Sequence, residues 1–390
     1  MSGDRTPLIG LALSGGGSRA IAFHLGCLRA LHDRGLLEKV RVISSISGGS
    51  VIAAMYAYSD EPFETFDRRV VSLLRSGLVW KIARETLLTS LLPKAVWTNV
   101  TAGSAALACN VGRRCSGLLS AVGLSVFTRG QLMYAPLRRR ASRTVALERV
   151  LANSIVGGHR MPQVARPNLD VVINATELRT QTAFRFGSRS SGSWRFGRIV
   201  DNSVSVAKAV SASAAFPVLL PALDEEFAFD LKGVQSKERV ILTDGGVYDN
   251  LGVTCLEPGR SPDYSINAFP ADYIICCDAG HGQPAGVNRP YWWSTRMQES
   301  FATTHRRVQT STYARLHQQA EAGLIKGFIL PYLGQQDDKL PHRPPDLVPR
   351  SQAMAYPTNF SPMSQANIDM LSRRGEQLTR LLIARYVPEL

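Results

Sequence analysis

Leu8-Ile9-Gly10-Leu11-Ala12-Leu13-Ser14-Gly15-Gly16-Gly17-Ser18-Arg19 is the stretch on which the fold is decided. Six apolar or small residues in succession read as a strand buried on both faces, and the serine and glycines after them read as a tight loop. From Ser18 to Arg34, Ile21, Leu25, Leu28 and Leu31 recur at helical spacing, and Gly35 stands where a helix would stop. The pattern then repeats. Val40 to Ile46 is a second apolar strand, Ser47-Gly48-Gly49-Ser50 a second tight loop, and Val51 to Tyr58 a second helix. Strand, loop, helix, twice over, begins a parallel α/β sheet.

Further strands are predicted over 169–176, 182–186, 240–242, 273–277 and 327–331, and helices over 204–215, 295–322 and 364–385. The proline-rich and charged segment 335–350 reads as a loop. Residues 61–150 are less regular. They interleave arginine with Leu78-Val79-Trp80, Leu87-Leu88, Leu91-Leu92, Trp97 and the run 117–127, which reads either as a cap or lid or as helices packed on the core. No linker or repeat divides the chain. The expectation is one domain over 1–390, with 61–150 as a cap insertion and 364–390 as a terminal helix.

The 390 residues are 45% hydrophobic and 19% charged, which suits a globular chain with a sizeable core. The net charge of +14, largely arginine (Arg138-Arg139-Arg140, Arg143, Arg306-Arg307), favours an anionic lipid surface or simply a solvated exterior. Nucleic acid is a poor partner, since no zinc-finger spacing, RNP-like run or basic zipper accompanies the charge. The six cysteines, Cys27, Cys109, Cys115, Cys255, Cys276 and Cys277, show no C-x-x-C, which argues against zinc and against a redox motif. A reduced, cytoplasmic setting fits them. No run reaches the ~20 apolar residues of a membrane span. Contact with the inner membrane surface would therefore be peripheral.

Three motifs carry chemistry. Ser47, in Ser45-Ile46-Ser47-Gly48-Gly49, sits where a strand turns sharply into a helix, which exposes its hydroxyl. Ser45 stands in place of the first glycine of G-x-S-x-G. The bland reading is an N-cap serine. Gly15-Gly16-Gly17-Ser18-Arg19 can gather backbone N–H groups into an anion site suited to a tetrahedral oxyanion, with Arg19 adding charge or pinning the loop. The Lys-Ser/Thr that closes a phosphate-binding loop is missing, and the spacing of a dinucleotide fingerprint is not met. Asp244, before Gly245-Gly246, is either a general base or an ordinary turn aspartate. His281 follows the strand ending at Asp278, so the order Ser47, Asp244, His281 also allows a Ser-His-Asp triad. His24 reads as a packed histidine. Asp249 and Asn250 read as turn-fixing residues, and Asn174 and Glu177 as polar strand-end groups.

Taken together, Gly15-Gly16-Gly17-x-Arg19, the Ser47 elbow, Ala214-Ala215-Phe216-Pro217 with Pro221, and Asp244-Gly245-Gly246 resemble the patatin-like phospholipases in kind and order. The resemblance spans Leu8 to Val253. Tyr356-Pro357-Thr358 and the last helix are similar to bacterial members. The resemblance implies a three-layer α/β/α fold with a mostly parallel central sheet. It also implies a Ser47–Asp244 dyad without histidine, and an acyl-enzyme released by water. The oxyanion would rest on the loop Gly15, Gly16, Gly17 with Arg19, through the N–H groups of Gly16 and Gly17 and that of Gly48. The implied substrate is a membrane phospholipid or lysophospholipid, with no metal, calcium included, and no other cofactor. A catalytically silent lipid-binding protein of the same fold is the alternative from outside enzymology.

Overall fold

In a computed structural model of the protein, residues 7–88, 142–217, 220–261, 263–282 and 289–390 are described, with isolated positions at 93, 96, 100, 104 and 286. Strands β1 (Ile9–Leu13), β2 (Val40–Ser45), β3 (Asp170–Glu177), β9 (Tyr273–Cys277) and β10 (Gly327–Ile329) form one half of a ten-stranded sheet. They run β10-β9-β1-β2-β3, every pairing parallel. Strand β1 is central, and all five of its residues are buried. Ile9, Leu11 and Leu13 face the larger core, whereas Ala12 faces a second core with Leu251, Val253, Leu256, Phe269 and Leu316. A strand with cores on both faces has no polar positions, which is why it read as a continuous apolar run.

The other half is antiparallel. β4 (Thr182–Gly187), β5 (Ser191–Ser193), β6 (Gly197–Ile199), β7 (Leu223–Leu231) and β8 (Val234–Asp244) follow β3 in order, and β8 returns to pair with β3. These six strands close a barrel-like ring. The expectation of a mostly parallel sheet is therefore corrected: antiparallel pairings outnumber parallel ones among the described residues. The physical reason is connection length, because a hairpin turn can only reverse the chain, while a parallel return needs a crossover. Between β7 and β8 the turn is Lys232-Gly233, with φ of 55° and 86°. Positive φ at both positions marks a tight hairpin whose twist matches its strands.

The helices are α1 (Gly17–Asp33), α2 (Gly48–Ala57), α3 (Phe63–Ser76), α4 (Val79–Leu88), α5 (Arg143–Ser154), α6 (Val206–Ser213), α7 (Trp293–Glu321), α8 (Arg350–Met354) and α9 (Gln365–Tyr386). Ser142, Ser205 and Ser364 cap α5, α6 and α9 by accepting from the N–H three residues on. The last of these, α9, covers Gln365–Tyr386. It packs against α1, which is buried between α9 and the sheet. Of the expected cap, α3, α4 and the start of α5 are described. Leu91-Leu92, Trp97, the run 117–127, Arg138-Arg139-Arg140, Cys109 and Cys115 lie outside the described residues. Leu78 is buried, but Val79, Trp80, Leu87 and Leu88 are exposed.

Candidate active site

Ser47 joins β2 to α2 with φ 52° and ψ −119°, a backbone that a residue with a side chain rarely holds. Its side chain makes no capping hydrogen bond, so the N-cap reading fails. Its backbone N–H donates to Ser213 Oγ at 2.9 Å, and Ser213 Oγ also pairs with Ser50 Oγ at 2.9 Å. Ser213 thus pins the elbow from α6, a role that no local pattern in the sequence announces. Ser45, where a glycine is usual, is accommodated by tucking its hydroxyl against Val172 O.

Asp244 ends β8 and is 3% exposed. Its Oδ1 accepts from Gly246 N at 2.7 Å, as a turn aspartate would, and the Ser47 side chain is near enough to draw the carboxyl pKa down. Burial pushes its pKa up to about 7, against the pull of the Gly246 N–H and the Ser47 side chain. The strand end is held by Thr176 Oγ1 donating to Asp244 O at 2.9 Å and by Asp244 N donating to Ala215 O at 3.1 Å.

The glycine loop divides its labour. Gly15 N donates to Asn250 O and Ser18 N to Asn359 O, so both donors are occupied. The N–H groups of Gly16, Gly17 and Gly48 take no partner among the described residues. Each stands at the start of α1 or α2, where helix N–H groups have no intrahelical acceptor. Close packing demands glycine at two of these positions. A Cβ on Gly17, at φ 59°, would lie 2.4 Å from Asn359 O, and one on Gly48 would lie 2.3 Å from Gly17 O.

Arg19 is buried beside the same cavity as Ser47, with its guanidinium engaged by loops. Its Nε donates to Ala279 O at 3.0 Å and its Nη1 to Tyr356 O at 3.3 Å, so it pins loops. Burial lowers its pKa to about 10, which leaves it charged at neutral pH. Nη1 also meets the His281 ring, with Nδ1 at 3.0 Å. Burial first, then the charge of Arg19, holds His281 down at about 4. His281 makes no hydrogen bond to Ser47 or Asp244 among those described.

These groups line one cavity of about 320 Å³ with Phe216, Asn250, His305, Arg306 and Asn359. His305 and Arg306 come from α7 and Asn359 from the C-terminal segment. The sequence reading marks Arg306-Arg307 only as charge and Tyr356-Pro357-Thr358 only as a family likeness, and it places neither His305 nor Asn359 at the site, because nothing local ties these segments to Ser47. Asp249 fixes the adjoining turn by accepting from Leu251, Gly252 and Thr254 N–H groups. Asn174 and Glu177 are buried rather than exposed: Asn174 bridges to Ser44 and Ser45, and Glu177 binds Thr180 and Ile241 N. His24 is buried as expected and bonds Ser14 O at 3.0 Å, but its Nδ1 has no partner and it clusters with Cys27 and Cys277.

The family model described as patatin-like phospholipase matches residues 11–256. The chain belongs to the patatin-like phospholipase family, a family of lipid-hydrolysing enzymes. Among curated relatives, it is 38% identical over 77 residues to the lysophospholipase NTE1 of Mycosarcoma maydis, covering 20% of this chain and 4% of that protein. It is 37% identical over 75 residues to the lysophospholipase nte1 of Aspergillus fumigatus, covering 19% of this chain and 5% of that protein. The matches thus span about 4–5% of the length of these relatives. Human GIVD cytosolic phospholipase A2 shares the α/β fold at a TM-score of 0.52 and 12% identity, over 98% of this chain and 59% of that one.

Proposed function

We propose that the chain cleaves the acyl ester of a phospholipid or lysophospholipid through Ser47 and Asp244. The Ser47 hydroxyl attacks the ester carbonyl and its proton passes directly to Asp244. The oxyanion is received by the N–H groups of Gly16, Gly17 and Gly48, and collapse expels the alcohol, which recovers the proton. Water, activated by the same carboxylate, then releases the fatty acid from the acyl-enzyme. A free carboxylate is a weak base for a serine. Burial, which raises the Asp244 pKa to about 7, matches the base to neutral pH.

The observation that supports this reading is Ser47, on its strained elbow, lining one cavity with the buried Asp244 carboxylate and the unpartnered N–H groups of Gly16 and Gly17. The triad reading finds less support, because the His281 ring is engaged by Arg19 and Tyr356 O rather than by Ser47 or Asp244, and burial with the Arg19 charge leaves it a weak base, at about 4. Fluorophosphonate labelling of the native chain but not of Ser47→Ala tests the nucleophile and separates an enzyme from a silent lipid binder. Labelling that survives in Ser47→Ala would overturn it.

We read the chain as one patatin-like unit, with 61–150 as its cap and the parallel half of the sheet as its three-layer part, two cores lying on opposite faces of β1. No helix among the described residues is long and apolar enough to cross a membrane. A cytoplasmic protein meeting the inner membrane surface peripherally is the setting we propose. Ester release from a lysophospholipid and from a monomeric short-chain ester, each followed in parallel, tests the substrate class.

A further inference from the structure

Tyr291, Trp292 and Trp293 are three consecutive aromatic residues exposed to 86%, 73% and 76%. They lie at the N-terminus of α7, whose described side chains are buried only at Thr312 and Leu316, so its first turns stand clear of the core. A soluble surface seldom leaves such a cluster in water. From Trp293 a row continues at four-residue steps: Met297 and Phe301 are exposed, and His305 lines the Ser47 cavity. The Phe301 ring lies 6.1 Å from His305 and 6.1 Å from Phe216, another lining residue. The row thus runs from the exposed tip to the cavity wall.

Charge identifies the occupant. Between positions 289 and 307 the chain carries Arg289, Arg296, Arg306 and Arg307 against Glu299 alone. Tryptophan and tyrosine beside arginine is the composition of the membrane–water boundary, where rings settle among headgroups and cations meet anionic lipid. Protein interfaces also use tryptophan, tyrosine and arginine, but the run of this row into the wall of the Ser47 cavity and the +14 net charge favour an anionic lipid surface.

We propose that Arg289–Phe301 is a membrane-docking tip. It inserts Tyr291, Trp292, Trp293 and Met297 into the headgroup–acyl boundary of an anionic bilayer and leads the lipid along Phe301 toward Ser47. The docking role rests on the lipid-hydrolase reading for its purpose but not for its measurement.

The test is flotation of the full-length Ser47→Ala chain with phosphatidylcholine vesicles, with and without phosphatidylglycerol. The chain floats with the anionic vesicles, and added salt weakens the binding. Trp292→Ala/Trp293→Ala/Met297→Ala in the same background lowers partitioning by about tenfold or more, while far-UV circular dichroism and melting confirm that it folds. As a second measure, lipids brominated along the acyl chain quench tryptophan fluorescence in the parent, and Trp292→Phe/Trp293→Phe removes most of the quenching. Unchanged partitioning in the triple variant would overturn the proposal. So would a concentration-dependent dimer that the triple variant abolishes, since the tip would then be a contact between copies. Because no ester is cleaved, failure of the catalytic reading leaves this result standing.

Discussion

The two halves of the sheet supply one candidate catalytic group each, in different ways. In the parallel half, Ser47 is placed by local structure: a buried strand, a tight turn and a helix start, all within residues 40–57. In the antiparallel ring, Asp244 is placed by the β3–β8 pairing that closes the barrel and sets Asp244 directly beside Ala175, far away in sequence. The halves share β3, so the distance between hydroxyl and carboxylate is set by the register of one strand. A nucleophile can be built locally, whereas its base must be delivered by topology.

The sharpest way to break this comparison is to remove one group from each half. Ser47→Ala and Asp244→Ala should each lower kcat on a lysophospholipid by on the order of 10³-fold or more, and the double variant should be scarcely worse than either. His281→Ala should stay within several-fold of the parent. A His281 loss as large as the other two would replace the dyad by a triad. Next in size is Gly48→Ala. Its new Cβ would press on Gly17 O at 2.3 Å and displace two of the three unpartnered N–H groups. A fall of roughly 10²-fold in kcat is expected, with a melting temperature lowered by the overpacking. Retained kcat would mean that the oxyanion rests elsewhere.

A third prediction uses the carboxylate without chemistry. Asp244 has its folded pKa near 7, above the ordinary 3.8, so the native state holds its proton longer than the unfolded chain. Its contribution to stability is intact below about pH 4 and is lost progressively as pH rises toward 7. Asp244→Asn should therefore melt close to the parent at pH 4 and a few degrees above it at pH 8. The rate of the parent should rise through the same pH 7 limb. A melting difference that does not change with pH would deny the buried carboxylate its raised pKa.

How far these features are legible in the sequence follows the same division. The run Leu8–Leu13 has no polar interruption because it is buried on both faces, the strand before Ser47 is interrupted only by half-buried Arg41 and the small Ser44 and Ser45, and their helices keep helical spacing. Their bounds are met within a few residues: α1 is Gly17–Asp33 against 18–34 and α7 is Trp293–Glu321 against 295–322. The ring is another matter. Strand β5 is Ser191-Gly192-Ser193 and β6 is Gly197-Arg198-Ile199, too short and too polar to declare themselves. Strand β7 alternates, with Phe227 and Phe229 on one side, yet Asp224, Glu225 and Glu226 precede them, and these acids find partners far along the chain, in Arg239 and Lys237 across the hairpin and Lys208 on α6. Asp244 was found as a residue, from its glycines. The ring that carries it was not, because strand pairing is a long-range choice that no local period encodes.

The smallest prediction bears on the shared strand. Asn174 Nδ2 donates to Ser44 Oγ at 2.9 Å and Ser45 O at 3.1 Å, tying β3 to the end of β2 one step from the elbow. Asn174→Ala leaves Ser44 and Ser45 with buried groups short of a partner and should cost roughly 1–3 kcal/mol of stability by denaturant titration. Arg189, bonded to Asp170 at the other end of β3, is the control: its side chain is 69% exposed, and Arg189→Ala should change stability by no more than ~0.5 kcal/mol. If the seam acts as a rigid hinge between hydroxyl and carboxylate, Asn174→Ala will also lower kcat several-fold while KM stays near the parent value. If stability falls and kcat does not, the register of β3 is held by its backbone ladder alone, and the side-chain bridge stabilises the fold without positioning the dyad.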